Sequence, residues 1–193
     1  MIRFSLPLLG FCAFSGTGKT TLLKQLLPVL KASGLRTGVI KHAHHQFDID
    51  HKRKDSYELR KAGAAQMLIA SRRRMALITE FETDQREPTL EETLQALNLE
   101  LLDLVLVEGF KRARFPKIEL HRPGMGKPLI CASDPTVIAI ATDAPLSPPP
   151  VHIPVLDLND IIGISDFILN LTQQIKESGI DDQRAQSTRG RLQ

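Results

Sequence analysis

Residues 13–21 read Ala13-Phe14-Ser15-Gly16-Thr17-Gly18-Lys19-Thr20-Thr21. Just before them, residues 8–14 form a short apolar run, the signature of a buried strand. Just after them, Leu22, Leu23, Leu26, Leu27 and Leu30 recur at helical spacing, and Gly34 is a natural stop. Pro28 interrupts the repeat and predicts a kink or an early break. Residues 36–41 (RTGVIK) then read as a second strand. Strand, glycine loop, helix and strand make a βαβ unit with parallel strands and a right-handed crossover.

The loop matches the G-x-x-x-x-G-K-[ST] phosphate pattern, with Ala13 standing at the first glycine. Gly16 and Gly18 let the backbone curl so that several N–H groups face one phosphate. The helix that starts near Lys19 adds the positive end of its dipole. Lys19 brings a charge to the β- and γ-phosphates, and the Thr20 hydroxyl is a hard oxygen ligand for Mg²⁺. The pattern predicts nucleoside triphosphate binding by residues Ser15, Gly16, Thr17, Gly18, Lys19, Thr20 and Thr21.

The rest of the chain continues the alternation. Asp55 can cap a helix through Tyr57 and Leu59 to Ala62, closed by Gly63. Residues 67–70 and 75–79 read as two short strands around Ser71-Arg72-Arg73-Arg74. Pro88 and Thr89 open a helix through Leu90, Leu94 and Leu97. Residues 101–107 form an apolar run broken only by Asp103, hence a central parallel strand. Residues 117–121 alternate like a half-exposed strand, and 137–141 read as a buried one. Residues 147–150 are a rigid Ser-Pro-Pro-Pro connector, and Asp160 caps a last amphipathic helix. The expectation is an α/β fold of the P-loop NTPase type: a mainly parallel sheet flanked by helices, with short β insertions. One domain covers residues 1–176, and 177–193 form a polar, flexible tail.

A P-loop needs an acid for Mg²⁺ or its water, at the carboxyl end of a neighbouring parallel strand. Asp103 and Glu108 lie at opposite ends of the 101–107 run, roughly 16 Å apart at ~3.3 Å per residue. Glu108 is therefore the candidate metal and catalytic acid, with Thr20 as the second metal ligand. The second strand delivers Lys41 and His42 to the same edge. His42, His44 and His45 do not complete a zinc set, since no cysteine or further His–acid motif joins them. Lys41 and His42, or Asp48, Asp50 and Asp55 in the next loop, are candidates for phosphate or Mg²⁺-water contacts. Asp143 follows the 137–141 strand, where a carboxylate can accept the ring N–H and amino group of guanine together.

Charge and composition narrow the classes. Residues 41–74 hold nine basic against four acidic side chains, and residues 75–108 hold one against nine. The basic block favours an anionic ligand or partner surface. Two cysteines without a CxxC pair exclude a disulfide scaffold and a thiolate metal site. No apolar run reaches the ~18 residues of a membrane span, and the N-terminus does not read as a signal peptide. A reducing cytoplasm is the expected location.

With these residues in place, the chain resembles the MobB family of molybdopterin-guanine dinucleotide biosynthesis adapter proteins. The likeness rests on FSGTGKTTL (14–22), VIKHAHH (39–45), KDSYELRKAGA (54–64), LVLVEGFK (104–111) and IAIATD (138–143). It implies a GTP-binding protein, with Mg²⁺, that is at most a weak GTPase. It implies a homodimer assisting the guanylyltransferase that attaches GMP to the molybdenum-bound pterin cofactor, with the pterin itself a candidate ligand. Two other classes compete. A P-loop small-molecule kinase would use ATP, with Arg72–Arg74 as a lid. A nucleic-acid NTPase would use the basic runs, but aromatics are 5% of the chain and do not interleave them. The strand pairs 67–70 with 75–79, and 117–121 with 129–131, read as insertions on one edge of the parallel sheet. A second copy across a two-fold axis would cover that edge.

Overall fold

The computed structural model describes residues 4–43, 47–81 and 86–189, with side chains to Ser178 in the last helix. His44, His45 and the last four residues of the expected tail lie outside the described residues. The chain forms two compact units: residues 1–42 with 89–193, and residues 43–88.

The larger unit is a six-stranded sheet. Its strands are β1 (Leu8–Cys12), β2 (Thr37–Lys41), β5 (Leu104–Glu108), β6 (Lys117–His121), β7 (Val137–Thr142) and β8 (Val155–Asp157). Their order is β2-β5-β1-β6-β7-β8, and every pair is parallel. Because side chains alternate along a strand, each face has its own core. One face carries Leu9, Phe11, Leu104, Leu106, Ile118 and Leu120. Helices α1 (Lys19–Ala32) and α4 (Ile161–Arg189) cover it with Leu22, Leu26, Leu30, Ile164 and Ile168. The other face carries Leu8, Val105, Val107 and Ile40 beneath Leu90 and Leu94 of α3 (Leu90–Gln95) and Phe115. Each fully buried leucine contributes about 1.5–3 kcal/mol.

Local signals fix the helix ends. Thr89 and Glu92 form a reciprocal capping box on α3. Asp160 accepts the Gly163 N–H at 2.9 Å, the cap expected at the start of α4. Helix α1 runs unbroken through Pro28 to Ala32, because four buried leucines hold it to the sheet. Helix α4 continues to Arg189, past the point where the polar stretch begins.

Three expectations about strands also need correction. Strand β6 is not half-exposed: all five residues are buried between β1 and β7. Its polar positions are compensated from afar. Glu119 accepts the Ile130 and Cys131 N–H groups at 2.7 and 2.8 Å. Lys117 is paired with Asp134 at 3.0 Å. Second, residues 129–131 form no strand with β6, since that stretch is spent on Glu119. Third, the 67–79 hairpin does not extend the large sheet; it is a sheet of its own. Strand β8, a three-residue edge, was not predicted.

The smaller unit holds helix α2 (Asp55–Lys61) and the antiparallel hairpin β3 (Gln66–Ala70) and β4 (Met75–Thr79). Its polar centre is the buried Arg60, whose guanidinium pairs with Asp48 at 2.8 Å and Asp50 at 3.6 Å, and with Glu80.

Candidate functional site at the carboxyl end of β1 and β5

The turn between β1 and α1 has the form its glycines predict. Gly16 and Gly18 lie at φ +82° and +104°, in the left-handed region that favours glycine. Gly18 is the N-cap of α1 and makes no side-chain cap bond, and the first turn holds no acid. The positive end of a 14-residue helix thus has no acid of its own first turn to balance it. Such an end receives phosphate. Ser15, Thr20 and Thr21 are exposed around it. Thr17 is different: its side chain is buried and donates to the Phe14 carbonyl at 2.8 Å, so it shapes the loop.

Lys19 folds back over the loop, its Nζ 3.4 Å from the Ala13 carbonyl. Burial lowers its pKa, and the Glu108 carboxylate nearby works in the opposite direction. Glu108 ends β5 in register with Phe11 of β1 and Lys41 of β2. It therefore lies on the face that α1 covers, as Leu104 and Leu106 do. Its carboxylate is 3.6 Å from the Lys41 ammonium. Lys19, Lys41 and Glu108 are thus gathered at one end of the sheet, beside the open helix terminus. The Asp103 carboxyl sits at the other end of β5, taken by the Arg36 guanidinium at 2.9 and 3.1 Å. That pairing leaves Glu108 as the acid at the loop end.

His42 follows β2. Its N–H donates to the Glu108 carbonyl at 2.8 Å, and its ring stacks on Phe110 with centroids 4.4 Å apart. Gly109, at φ +107°, makes the contact possible, since a Cβ there would lie 2.5 Å from the His42 Cβ. Asp143 directly follows β7, and one of its oxygens is held by Arg122 at 2.5 Å. Asp55 is the first residue of α2 in the smaller unit, where Asp48 and Asp50 are committed to Arg60.

The sequence reading omitted Arg122. Its Nε donates to the Thr17 carbonyl at 2.9 Å, so a cation from the end of β6 is fastened to the middle of the phosphate loop. Met125 and Lys127 come from the same segment, with the Met125 sulfur 3.7 Å from the Thr17 hydroxyl and the Lys127 ammonium 6.0 Å from the Phe14 ring. The partners of Arg122 are 105 and 21 residues away in the chain, so no local pattern signals it.

Among the described residues no group of three or more His, Cys, Asp or Glu side chains could hold a metal. Mg²⁺ takes one or two protein oxygens and completes its shell with phosphates and water. Glu108 and Thr20 offer that minimum. No helix among the described residues is long and apolar enough to cross a membrane.

Comparison with known proteins agrees with this architecture. A relative from Escherichia coli strain K12, a molybdopterin-guanine dinucleotide biosynthesis adapter protein, is 49% identical over 170 residues, 88% of this chain and 95% of the relative. A protein of the same description from Haemophilus influenzae is 44% identical over 165 residues, covering 86% and 89%. The crystal structure of a molybdopterin-guanine biosynthesis protein B superposes with a TM-score of 0.64 at 25% identity, covering 85% of this chain and 99% of that one. The family model for molybdopterin guanine dinucleotide synthesis protein B matches residues 8–143, and the chain belongs to that family.

Proposed function

We propose that the chain is a GTP-binding adapter in molybdopterin guanine dinucleotide biosynthesis, where it assists the guanylyltransferase that joins GMP to the pterin cofactor. The observation that carries this reading is the pairing of an uncapped α1 terminus with Lys19 and Glu108 on one face of the sheet. Residues 15–21 wrap the phosphates, with Lys19 on the β- and γ-phosphates and Thr20 and Glu108 on Mg²⁺. Lys41 and His42 lie beside Glu108 and complete the polar rim. Mg²⁺ neutralises the phosphates. Asp143 accepts the ring N–H and amino group of guanine, one on each carboxylate oxygen, the oxygen that Arg122 holds using its second lone pair. The Lys41 ion pair draws on the charge of Glu108, which supports hydrolysis that is slow at best. The protein works in the cytoplasm.

A homodimer fits the smaller unit. Leu68, Met75 and Leu77 of the hairpin are 54, 72 and 53% exposed, an apolar surface for a second copy. Sedimentation at micromolar concentration is expected to report twice the chain mass.

The test of the nucleotide site is competition of labelled GTP against ATP, GDP and GMP with Mg²⁺ present. GTP should win, and Lys19→Ala should lose most of the affinity while the protein stays folded. Preference for ATP, with phosphoryl transfer to an acceptor, would instead identify a small-molecule kinase. A folded Lys19→Ala protein that binds GTP like the wild type refutes the assignment of the loop.

A further inference from the structure

We propose that a cleft of about 440 Å³ between the 111–117 and 133–136 segments is a second anion site, which takes the phosphate group of a small phosphorylated molecule. Lys111, Arg112, Arg114, Lys117, Asp134 and Thr136 line it. Lys117 is 2% exposed and has three N–H donors, all of them spent. They go to the Ala113 carbonyl at 2.8 Å, Asp134 at 3.0 Å and the Thr136 hydroxyl at 2.7 Å. Lys117 therefore clamps one wall of the cleft to the other, and Asp134 balances its charge.

The remaining three cations have no such balance. Lys111, Arg112 and Arg114 are exposed and make no hydrogen bond or ion pair among the described residues. Three like charges around one concavity repel each other, and a dianion between them removes the repulsion. Guanidinium groups meet phosphate oxygens in a two-pronged geometry that suits this role. A small-molecule pocket runs from about 300 to 1,000 Å³, so the cleft has room for a ring or chain beyond the phosphate. A concave shape with walls pinned by a buried lysine fits a small ligand better than a flat macromolecular surface.

The site is separate from the phosphate loop. Its floor lies on the face of Gly10, where a Cβ would stand 2.6 Å from Phe115 and 3.1 Å from the Lys117 side chain. That face carries α3, whereas the phosphate loop feeds α1 on the other. The two sites meet at the end of β5: Glu108 serves one, and Lys111, three residues on, lines the other. Lys111 is close enough to add to the fall in the Lys19 pKa that burial begins.

Calorimetric titration of the full-length Lys19→Ala chain with phenyl phosphate tests the proposal, because the phosphate loop, itself an anion site, is disabled there. This variant should bind one equivalent saturably, with affinity falling as salt rises. Adding Arg112→Ala and Arg114→Ala, both on the surface, should weaken binding about tenfold or more, as expected for lost charge-assisted bonds. The test needs no nucleotide, which separates this site from the fate of the GTP reading. No binding by Lys19→Ala, or equal binding after the two arginines are removed, overturns the proposal. Capture of heparin but not phenyl phosphate also overturns it, and makes the patch a macromolecular surface.

Discussion

Arg122 donates its Nε–H to the carbonyl oxygen of Thr17 at 2.9 Å. Through its other side it holds Asp143 at 2.5 Å. One side chain thus ties the ends of β6 and β7 to the loop before α1. The carbonyl it holds belongs to the residue between the two left-handed glycines.

Arg122→Ala should therefore weaken nucleotide binding without removing any loop residue. A hydrogen bond from a charged donor contributes about 1.5–3 kcal/mol, so a loss of about tenfold or more in GTP affinity is expected. Arg122 spreads its two bonds over Nε and a terminal nitrogen of a planar fork that lysine lacks, so Arg122→Lys should recover little. Equilibrium binding of a fluorescent GTP analogue checks both. Wild-type affinity in Arg122→Ala would show that the loop keeps its shape unaided.

Glu108→Gln should slow hydrolysis more than it weakens binding. A carboxylate that acts through Mg²⁺ or its water matters most as charge moves in the transition state. The change also removes the partner of Lys41, 3.6 Å away, and leaves that ammonium free for the phosphates. A drop in turnover of at least about tenfold, with the GTP dissociation constant changed less, is expected. Single-turnover hydrolysis and binding on the same preparation separate the two. Turnover equal to wild type would move the role to another acid.

Much of the larger unit was legible because its signals are local. The apolar run of β1, the glycine loop and the leucine spacing of α1 lie within 25 residues, and the Asp160 cap within three. The position of Glu108 was legible because strand direction leaves one of two acids at the loop end. Strand β6 was not. Lys-Ile-Glu-Leu-His alternates as a half-exposed strand does, and nothing nearby says that Lys117 and Glu119 are buried. Their partners lie 11 to 19 residues on, in a loop that wraps back over the sheet. Arg122 escaped for the same reason. Pro28 misled because propensity counts a broken turn but not four leucines packed on a sheet.

Asp103 gives a pH prediction. The Arg36 guanidinium and backbone N–H hold its carboxyl down at about 2. The unfolded value is about 3.9, so between the two the unfolded chain binds more protons. The stabilisation is complete above the unfolded value and is lost as pH falls from about 4 toward 2. Denaturant midpoints of wild type and Asp103→Asn should differ by a constant amount near neutrality and converge at the acid end. A gap that does not close would mean that the pair contributes no pH-dependent stability.

Gly109→Ala should damage the site from behind. The residue lies at φ +107°, a conformation that side chains rarely adopt, and the new Cβ would stand 2.5 Å from the Cβ of His42. Backbone strain of this kind costs of order 1–3 kcal/mol. Relief requires His42 to move, and His42 carries the hydrogen bond to the Glu108 carbonyl and the stack on Phe110. Both the denaturation midpoint and the Glu108-dependent turnover should therefore fall together. Gly124→Ala is the control, since a Cβ there meets nothing within 4 Å and its φ is not positive. It should leave both measurements within error of wild type. Equal behaviour of the two variants would show that the turn after β5 yields to a side chain without disturbing Glu108.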